Sequence, residues 1–302
     1  MDAVVLDNVS KSFGPVRAVV EISAQIPTGI VYGFLGPNGA GKTTTIRMIM
    51  DIIRPDSGQI EVLGESSVSS ARSRVGYMPE ERGLYRKMTV AKVLAYFASL
   101  KGVDSGKIER SVNEWLDRME LRDWAGKKVE ELSRGMHQKL QFAVTAINDP
   151  ELLILDEPFS GLDPLNTDLL KSIIREMTSR GRTVIFSTHA MHEAETLCDN
   201  IILINKGQIV LNGRLADIRA QHRVHAVSVE LEGETGFVDG LPGVTRAVRN
   251  EGRIEITLAE ESDTQELLME LTKRARVRAF EEKVPSLHEI FVSVVGRDGQ
   301  DS

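Results

Sequence analysis

The chain of 302 residues lacks the features that mark secreted and membrane-spanning proteins. It contains one cysteine, Cys198, which excludes a disulfide framework and favours a reducing compartment. We expect this thiol to be a small buried apolar side chain. No run of 18 apolar residues occurs, so no transmembrane helix is predicted. The first residues carry neither a basic segment nor an apolar stretch, so we expect no secretory signal and a cytoplasmic protein.

An excess of basic residues is also absent. Residues 1–221 contain 27 Lys and Arg against 28 Asp and Glu, whereas residues 222–302 contain 10 against 16. Neither part has the positive charge with which proteins neutralise many nucleic-acid phosphates, so no nucleic-acid partner is expected. The change in charge balance near residue 221 predicts a boundary between two domains, 1–221 and 222–302.

What is present begins with a glycine-rich loop. Residues 36–44 read GPNGAGKTT and match the phosphate-binding pattern G-x-x-x-x-G-K-[ST]. An apolar strand precedes the loop, and a helix follows whose N-terminus would point at the phosphates. Glycine lets backbone N–H groups curl around an oxyanion without a Cβ in the way. The predicted nucleotide-binding residues of this loop are Gly36, Pro37, Asn38, Gly39, Ala40, Gly41, Lys42, Thr43 and Thr44.

Two further apolar strands end in polar residues that suit phosphate chemistry. The first closes with Asp156 and Glu157, and the second, residues 183–187, leads to His189. Ligands of open α/β sheets bind at the carboxyl ends of the strands, so these groups are predicted to meet the loop. His189 also has simpler interpretations: it could cap a helix, or it could bind a metal with His192, although no third ligand is evident.

The remaining patterns define the architecture. Residues 84–150 contain helical patterns and no strand, which predicts a helical subdomain inserted in the α/β core. Residues 226–231, 244–248, 253–258 and 276–280 read as strands and are followed or interrupted by helical segments, as in a small α+β domain. That domain contains no reactive constellation. The predicted fold is therefore α/β, a P-loop NTPase core with a helical subdomain, plus a C-terminal α+β domain.

The order of these motifs over the first 221 residues resembles the ATP-binding subunit of an ABC transporter. The matching residues are Phe13 (adenine-stacking aromatic), Gly36 to Thr44 (Walker A), Glu80 (Q-loop), Leu132 to Met136 (signature), Asp156 and Glu157 (Walker B and catalytic glutamate), Ser160 to Asp163 (D-loop) and His189 (switch histidine). From the residues alone, Phe13 is equally well explained as an apolar plug under its turn. Residues 77–85, 132–136 and 285–291 together resemble the sodium- and drug-export branch of bacterial ABC systems. Glu80, Arg134 and Met136 depart from the usual family residues.

The resemblance implies ATP and Mg²⁺ as ligands and ATP hydrolysis as the activity. Thr43, Asp156 and Glu80 would hold the metal, Lys42, Glu157 and His189 would act in catalysis, and Glu80, Ser133 and Gly135 would contact nucleotide. Ser133 and Gly135 would serve the site of a second ATP-binding subunit, most simply an identical chain. It also implies a separate transmembrane permease and a peripheral position on the inner face of the cell membrane, with a substrate exported through that permease.

Other nucleotide-binding classes fit less well. An ABC ATPase that acts on DNA has a long coiled coil, and the roughly 50 residues between Glu80 and Ser133 are too few for one. The ribosomal type carries two cassettes, and this chain carries one. A GTPase needs an Asn-Lys-x-Asp base reader, which residues 205–208 lack at the final position. Glu157 and His189 argue against a non-catalytic nucleotide sensor.

Overall fold

The computed structural model describes residues 1–66, 68–81, 83–223, 225–250, 252–259 and 261–298. Arg82, which lies within one of the segments of the resemblance, is outside the described residues. The chain divides into two compact units, Met1–Leu215 and the residues from Ala216 onward. The domain boundary proposed from the charge change, after Gln221, lies six residues later and stays a proposal.

The first unit alternates strands and helices. Its strands are β1 (Asp2–Phe13), β2 (Val16–Pro27), β3 (Val31–Leu35), β4 (Ser57–Val62), β5 (Val75–Met78), β6 (Leu152–Asp156), β7 (Thr183–Thr188), β8 (Asn200–Asn205) and β9 (Gln208–Arg214). Its helices are α1 (Lys42–Ile49), α2 (Val68–Ala71), α3 (Val90–Leu100), α4 (Ile108–Arg118), α5 (Arg134–Ala146), α6 (Pro164–Ser179) and α7 (Met191–Leu197). Helix α8 (Leu215–Gln221) follows at the division between the units.

A six-stranded sheet of order β5-β6-β7-β3-β8-β9 forms the centre of the first unit. The strands run parallel except β9, which is antiparallel to β8. Every residue of β3, β6 and β7 is buried, because helices cover both faces of such a sheet and the strands are correspondingly apolar. Since these three strands are neighbours, their carboxyl ends share one edge of the sheet, and the predicted site residues follow there.

A smaller antiparallel sheet of order β2-β1-β4 packs beside this core. Strand β1 pairs with β2 through the turn after Phe13 and with β4 on its other side. Between β5 and β6 the described residues form helices α3, α4 and α5 and short 3₁₀ turns, with no strand. The predicted helical insertion is thus observed, and its last helix, α5, leads directly back to β6.

The described residues after α8 form a four-stranded antiparallel sheet and helices α9 and α10. The elements are β10 (Ala226–Glu232), β11 (Val244–Asn250), β12 (Arg253–Leu258), α9 (Thr264–Arg274), β13 (Arg276–Glu282) and α10 (Leu287–Asp298). The strand order is β11-β12-β10-β13. The unit has its own apolar core, in which inward-facing residues of β10 and β12 pack against Leu267 and Leu271 of α9. In the described part of the chain, no helix is long and apolar enough to cross a membrane.

Candidate functional site

The glycine-rich loop leaves the end of β3 and enters α1. Gly36 has φ +145°, and a Cβ there would lie 2.1 Å from the carbonyl oxygen of Ile204. Gly41 has φ +109°, and its Cβ would lie 2.5 Å from the carbonyl oxygen of Ala18. The loop therefore lies directly against the backbones of β8 and β2. Only glycine can adopt the required φ there without a steric clash. The first N–H groups of α1 have no partner within the helix, so they are available to an anion bound by the loop.

Lys42 is the first residue of α1, and its side chain reaches back to the start of the loop. Its side chain is buried, and Nζ donates hydrogen bonds to the carbonyl oxygens of Gly36 at 2.7 Å and Pro37 at 3.1 Å. Burial lowers the pKa of Lys42, while the carboxylates of Glu157, Asp156 and Glu80 act in the opposite direction. Because this ammonium group is poorly solvated, contact with phosphate oxygens would stabilise its positive charge strongly.

Thr43 and Asp156 form the predicted metal-binding side of the site. The hydroxyl of Thr43 donates to Oδ1 of Asp156 at 3.3 Å, and the Ser187 hydroxyl donates to the same oxygen. Asp156 is 1% exposed, and its Oδ2 is buried with no hydrogen-bond partner among the described residues. A carboxylate oxygen that stays unpaired in such a place is costly unless a cation or ordered water joins it. This hard oxygen donor set fits Mg²⁺.

Glu157 turns out of strand β6 toward the loop. Its φ is +49°, a left-handed conformation that non-glycine residues adopt rarely and that costs about 1 kcal/mol or more. The backbone N–H of Glu157 compensates by donating to Ser187, to the carbonyl oxygen at 3.2 Å and to the hydroxyl at 3.1 Å. The side chain is 12% exposed, and its Oε1 lies 3.0 Å from Nδ1 of His189.

These groups surround one cavity of about 460 Å³. The predicted residues that line it are Asn38, Gly39, Ala40, Gly41, Lys42, Thr43, Thr44, Glu80, Glu157 and His189. Gly36 and Pro37 lie behind it and hold Lys42, while Asp156 lies behind Thr43. The described residues contain no group of three or more His, Cys, Asp or Glu side chains with metal-binding geometry, so His189 and His192 gain no third protein ligand.

Four lining residues are not named by the sequence analysis: Val16, Arg17, Ala18 and Lys206. A fifth, Ser160, was named there only as the first residue of the D-loop. The turn between β8 and β9 carries Lys206 to the cavity because Gly207 is pinned by backbone hydrogen bonds, to Ala40 at 2.9 Å and from Val20 at 2.8 Å. Only the neighbouring glycine hints at a tight turn. No local pattern indicates that this turn meets the phosphate loop.

Besides Gly36 and Pro37, three predicted nucleotide contacts do not line this cavity: Phe13, Ser133 and Gly135. Phe13 is 50% exposed at the tip of the β1–β2 hairpin, and the amine of Lys11 lies 5.7 Å from its ring centroid. Ser133 caps the N-terminus of α5 and accepts a hydrogen bond from the Met136 amide at 3.3 Å. The roles of all three in nucleotide binding remain predictions.

Comparison with known proteins identifies two family matches that together cover most of the chain. Residues 19–160 match the family described as ABC transporter, and residues 213–295 match the family described as the C-terminal domain of DrrA1-3-like ATP-binding proteins. An uncharacterized ABC transporter ATP-binding protein of Bacillus subtilis, YhaQ, is 39% identical and covers 96% of this chain and 98% of its own length.

Two further similarities extend over nearly the whole chain. The Nod factor export ATP-binding protein I of Sinorhizobium fredii is 35% identical, over 99% of this chain and 88% of that protein. The solved structure of an ATP-binding subunit of an ABC transporter superposes with a TM-score of 0.68 at 26% identity, covering 89% of this chain and 99% of the other. The sequence identity over nearly the whole chain and the shared fold both indicate the same family. The chain belongs to the ATP-binding subunits of ABC transporters.

Proposed function

We propose that this protein hydrolyses Mg·ATP and thereby drives export of a substrate through a separate membrane permease. The single observation that supports hydrolysis, rather than binding alone, is the hydrogen-bonded pair of Glu157 and His189 on the wall of the cavity that also contains the phosphate loop. A protein that only sensed nucleotide would have no need for a carboxylate held in a strained conformation toward the phosphates.

The two residues have distinct roles in this mechanism. Glu157 accepts a proton from the attacking water, since its carboxylate faces the cavity and is otherwise little solvated. His189 holds that carboxylate through Nδ1, which leaves Nε2 free to face the terminal phosphate. Lys42 and the loop amides neutralise the charge that spreads over the phosphate oxygens.

Mg²⁺ would be held by Thr43 and Asp156, with Glu80 facing the same cavity. Bound there, the ion would neutralise charge on the β- and γ-phosphates. The unpaired oxygen of Asp156 supports this proposal, since the buried carboxylate has capacity for a cation or its bound water.

A complete site requires a second chain. Ser133 and Gly135 lie at the exposed start of α5 and do not line the cavity of their own chain. Their amides form a helix N-terminus suited to phosphate binding, so we infer that they close the nucleotide site of a second subunit. The chain has one phosphate loop and one signature, and an identical partner would give two composite sites.

The permease would dock on the helical subdomain near Glu80. Tyr85, Tyr96 and Leu100 are 51%, 42% and 67% exposed, and the two tyrosine rings meet edge to face at 5.4 Å. Such an apolar aromatic patch suits burial against a partner protein. The protein would then lie on the inner face of the cell membrane through its permease. The export direction is proposed from the similarity to a relative named as an export protein.

The test is the substitution Glu157→Gln, which keeps the shape of the side chain but cannot accept a proton. ATP hydrolysis is expected to fall by roughly 10²-fold or more. ATP binding should survive, because Lys42 and Thr43 are unchanged, and the nucleotide should hold two chains together. Size-exclusion chromatography with ATP should therefore show a dimer for Glu157→Gln.

Lys42→Ala is the matched control, since it should neither bind ATP tightly nor dimerise with it. A Glu157→Gln protein with wild-type hydrolysis would remove Glu157 as the base. A wild-type protein that binds ATP without hydrolysing it, even with its co-purified permease, would favour the nucleotide sensor instead.

A further inference from the structure

Helix α5 carries two buried glutamines that are not explained by the core or by nucleotide binding. Gln138 and Gln141 are 3% and 4% exposed. They are spaced i, i+3, so they lie on one face of the helix, one turn apart. A buried side-chain amide destabilises the fold unless its N–H groups donate hydrogen bonds. Both amides have acceptors for these bonds.

Gln138 holds the end of strand β6. Its Nε2 donates to the carbonyl oxygens of Glu157 at 3.3 Å and Pro158 at 2.9 Å. These are the backbone of the proposed catalytic base and of the residue after it. The amide thereby contributes to the left-handed turn that directs the Glu157 carboxylate toward the cavity.

Gln141 holds the segment after strand β5 in the same manner. Its Nε2 donates to the carbonyl oxygens of Pro79 at 2.7 Å and Glu81 at 3.3 Å, the residues on either side of Glu80. Its Oε1 is buried with no hydrogen-bond partner among the described residues. The side chain of Gln141 therefore acts as a hydrogen-bond donor to this segment, and its carbonyl oxygen takes no part in the contact.

The same helix begins at the signature. Ser133 caps α5, and Gly135 lies against the loop after β6, where a Cβ on Gly135 would be 3.5 Å from Leu162. Within about two turns, α5 thus joins the proposed contact with the partner's nucleotide to the backbones around Glu157 and Glu80 of its own chain. A helix of this length moves as a rigid rod, because its backbone hydrogen bonds resist bending.

We propose that Gln138 and Gln141 are positioning residues that couple the two composite sites. When Ser133 and Gly135 engage the nucleotide of the second chain, displacement of α5 is transmitted through the two amides to the loops that carry Glu157 and Glu80. Each site then reaches its hydrolytic geometry only when the opposite site is occupied. This inference rests on the proposed two-chain arrangement.

Gln138→Met and Gln141→Met test the coupling, since methionine keeps the length of the side chain and removes the donors. Hydrolysis by the wild-type chain should show a Hill coefficient for ATP above 1. In each variant we expect the Hill coefficient to approach 1 and kcat to fall by roughly tenfold, in line with loss of positioning. ATP affinity, measured in the Glu157→Gln background, should stay unchanged.

Thr145→Val is the matched control on the same buried face of the helix. Its hydroxyl donates to the carbonyl oxygen of Gln141 within α5, at 2.8 Å, rather than to the loops around Glu157 or Glu80 in the described structure. The substitution should therefore leave kcat and the Hill coefficient at wild-type values. Gln141→Glu provides a variant of the same shape. An ionised carboxylate cannot donate to the two carbonyls, whereas a protonated one can, so kcat relative to wild type should recover as pH is lowered.

Three results would overturn the coupling: methionine variants with the wild-type kcat and Hill coefficient, a wild-type Hill coefficient of 1, or an equal loss in Thr145→Val. These three results can be interpreted only if the wild-type chain hydrolyses ATP and this hydrolysis depends on Glu157. The absence of Glu157-dependent hydrolysis in the wild-type chain would instead contradict the proposed function, and the two failures are thereby distinguished.

Discussion

Nδ1 of His189 lies 3.0 Å from Oε1 of Glu157, across the carboxyl ends of the neighbouring strands β7 and β6. The histidine is 58% exposed, whereas the glutamate is 12% exposed. The contact therefore joins an exposed, solvated ring to a carboxylate that is largely buried. The experiment should therefore test whether a nitrogen at the position of Nδ1 orients the Glu157 carboxylate.

His189→Ala is expected to lower kcat for ATP by roughly 10²-fold, because the Glu157 carboxylate loses the group that orients it. Asparagine places an amide nitrogen near the position of Nδ1, and glutamine places one near Nε2. Steady-state hydrolysis should therefore be higher for His189→Asn than for His189→Gln. His192→Ala, on the exposed start of α7, should have wild-type kinetics; the reverse order of Asn and Gln would argue against orientation through Nδ1.

Lys171 and Glu193 form an ion pair between α6 and α7 in which the side chains are only 9% and 12% exposed. Removing one partner leaves a buried charge, so Lys171→Met should lower the free energy of unfolding by about 3–5 kcal/mol. The double variant Lys171→Met/Glu193→Leu should lose less, because no unpaired charge remains. Urea unfolding measures both.

The exposed pair Arg110 and Glu114 is the comparison for that experiment, with side chains 82% and 56% exposed. Arg110→Met should cost at most about 0.5 kcal/mol, since water screens such a pair. Equal costs for Lys171→Met and Arg110→Met would show that burial of the Lys171 pair contributes nothing.

Lys101 predicts a pH dependence of stability. Burial lowers its pKa from 10.5 to about 8, and Nζ donates to the carbonyl oxygen of Thr145 at 2.7 Å. Between these two pH values the unfolded chain binds more protons at this site than the folded chain does, so stability should rise as pH increases from about 8 to 10.5. The gain from this group should be on the order of 3 kcal/mol.

Lys101→Met separates this effect from the other titrations of the chain. The variant should lose that component of the rise, and it should be more stable than the wild type near neutral pH, where the wild-type chain buries a charge. Urea unfolding at a series of pH values gives the difference directly. Parallel pH profiles for the two proteins would contradict the assignment.

A chain that ends at Gln221 is expected to retain ATP binding. All residues that line the cavity precede this point, and the sheet of the second unit has an apolar core of its own. The residues from 222 onward are proposed to regulate the ATPase or to support its dimer. Titration with ATP, together with circular dichroism, tests this; a shortened chain that is folded but cannot bind ATP would refute it.

The core of the fold was predictable because its signals are local. Strands β3, β6 and β7 are nearly uninterrupted apolar runs, as strands buried on both faces must be, and each ends at the residues that the motif pattern names. The strands of the second unit were predictable because apolar and polar residues alternate along them, as expected for strands with one buried face. Strand boundaries are less predictable: β1 continues to Phe13 because pairing with β2 adds hydrogen bonds that no local propensity reports.

The sequence by itself determined the α/β class, the phosphate loop and the order of the site residues, since each depends on a few adjacent side chains and the backbone that they permit. Only the tertiary structure decided which distant groups meet. The order β6-β7-β3 brings Ser187 to Asp156, and the turn at Gly207 brings Lys206 to the cavity. Helix α5 brings one amide to the backbone of Glu157 and the other to the backbone on either side of Glu80. These contacts join residues 19 or more positions apart in the chain, so packing determines them and no local pattern reports them.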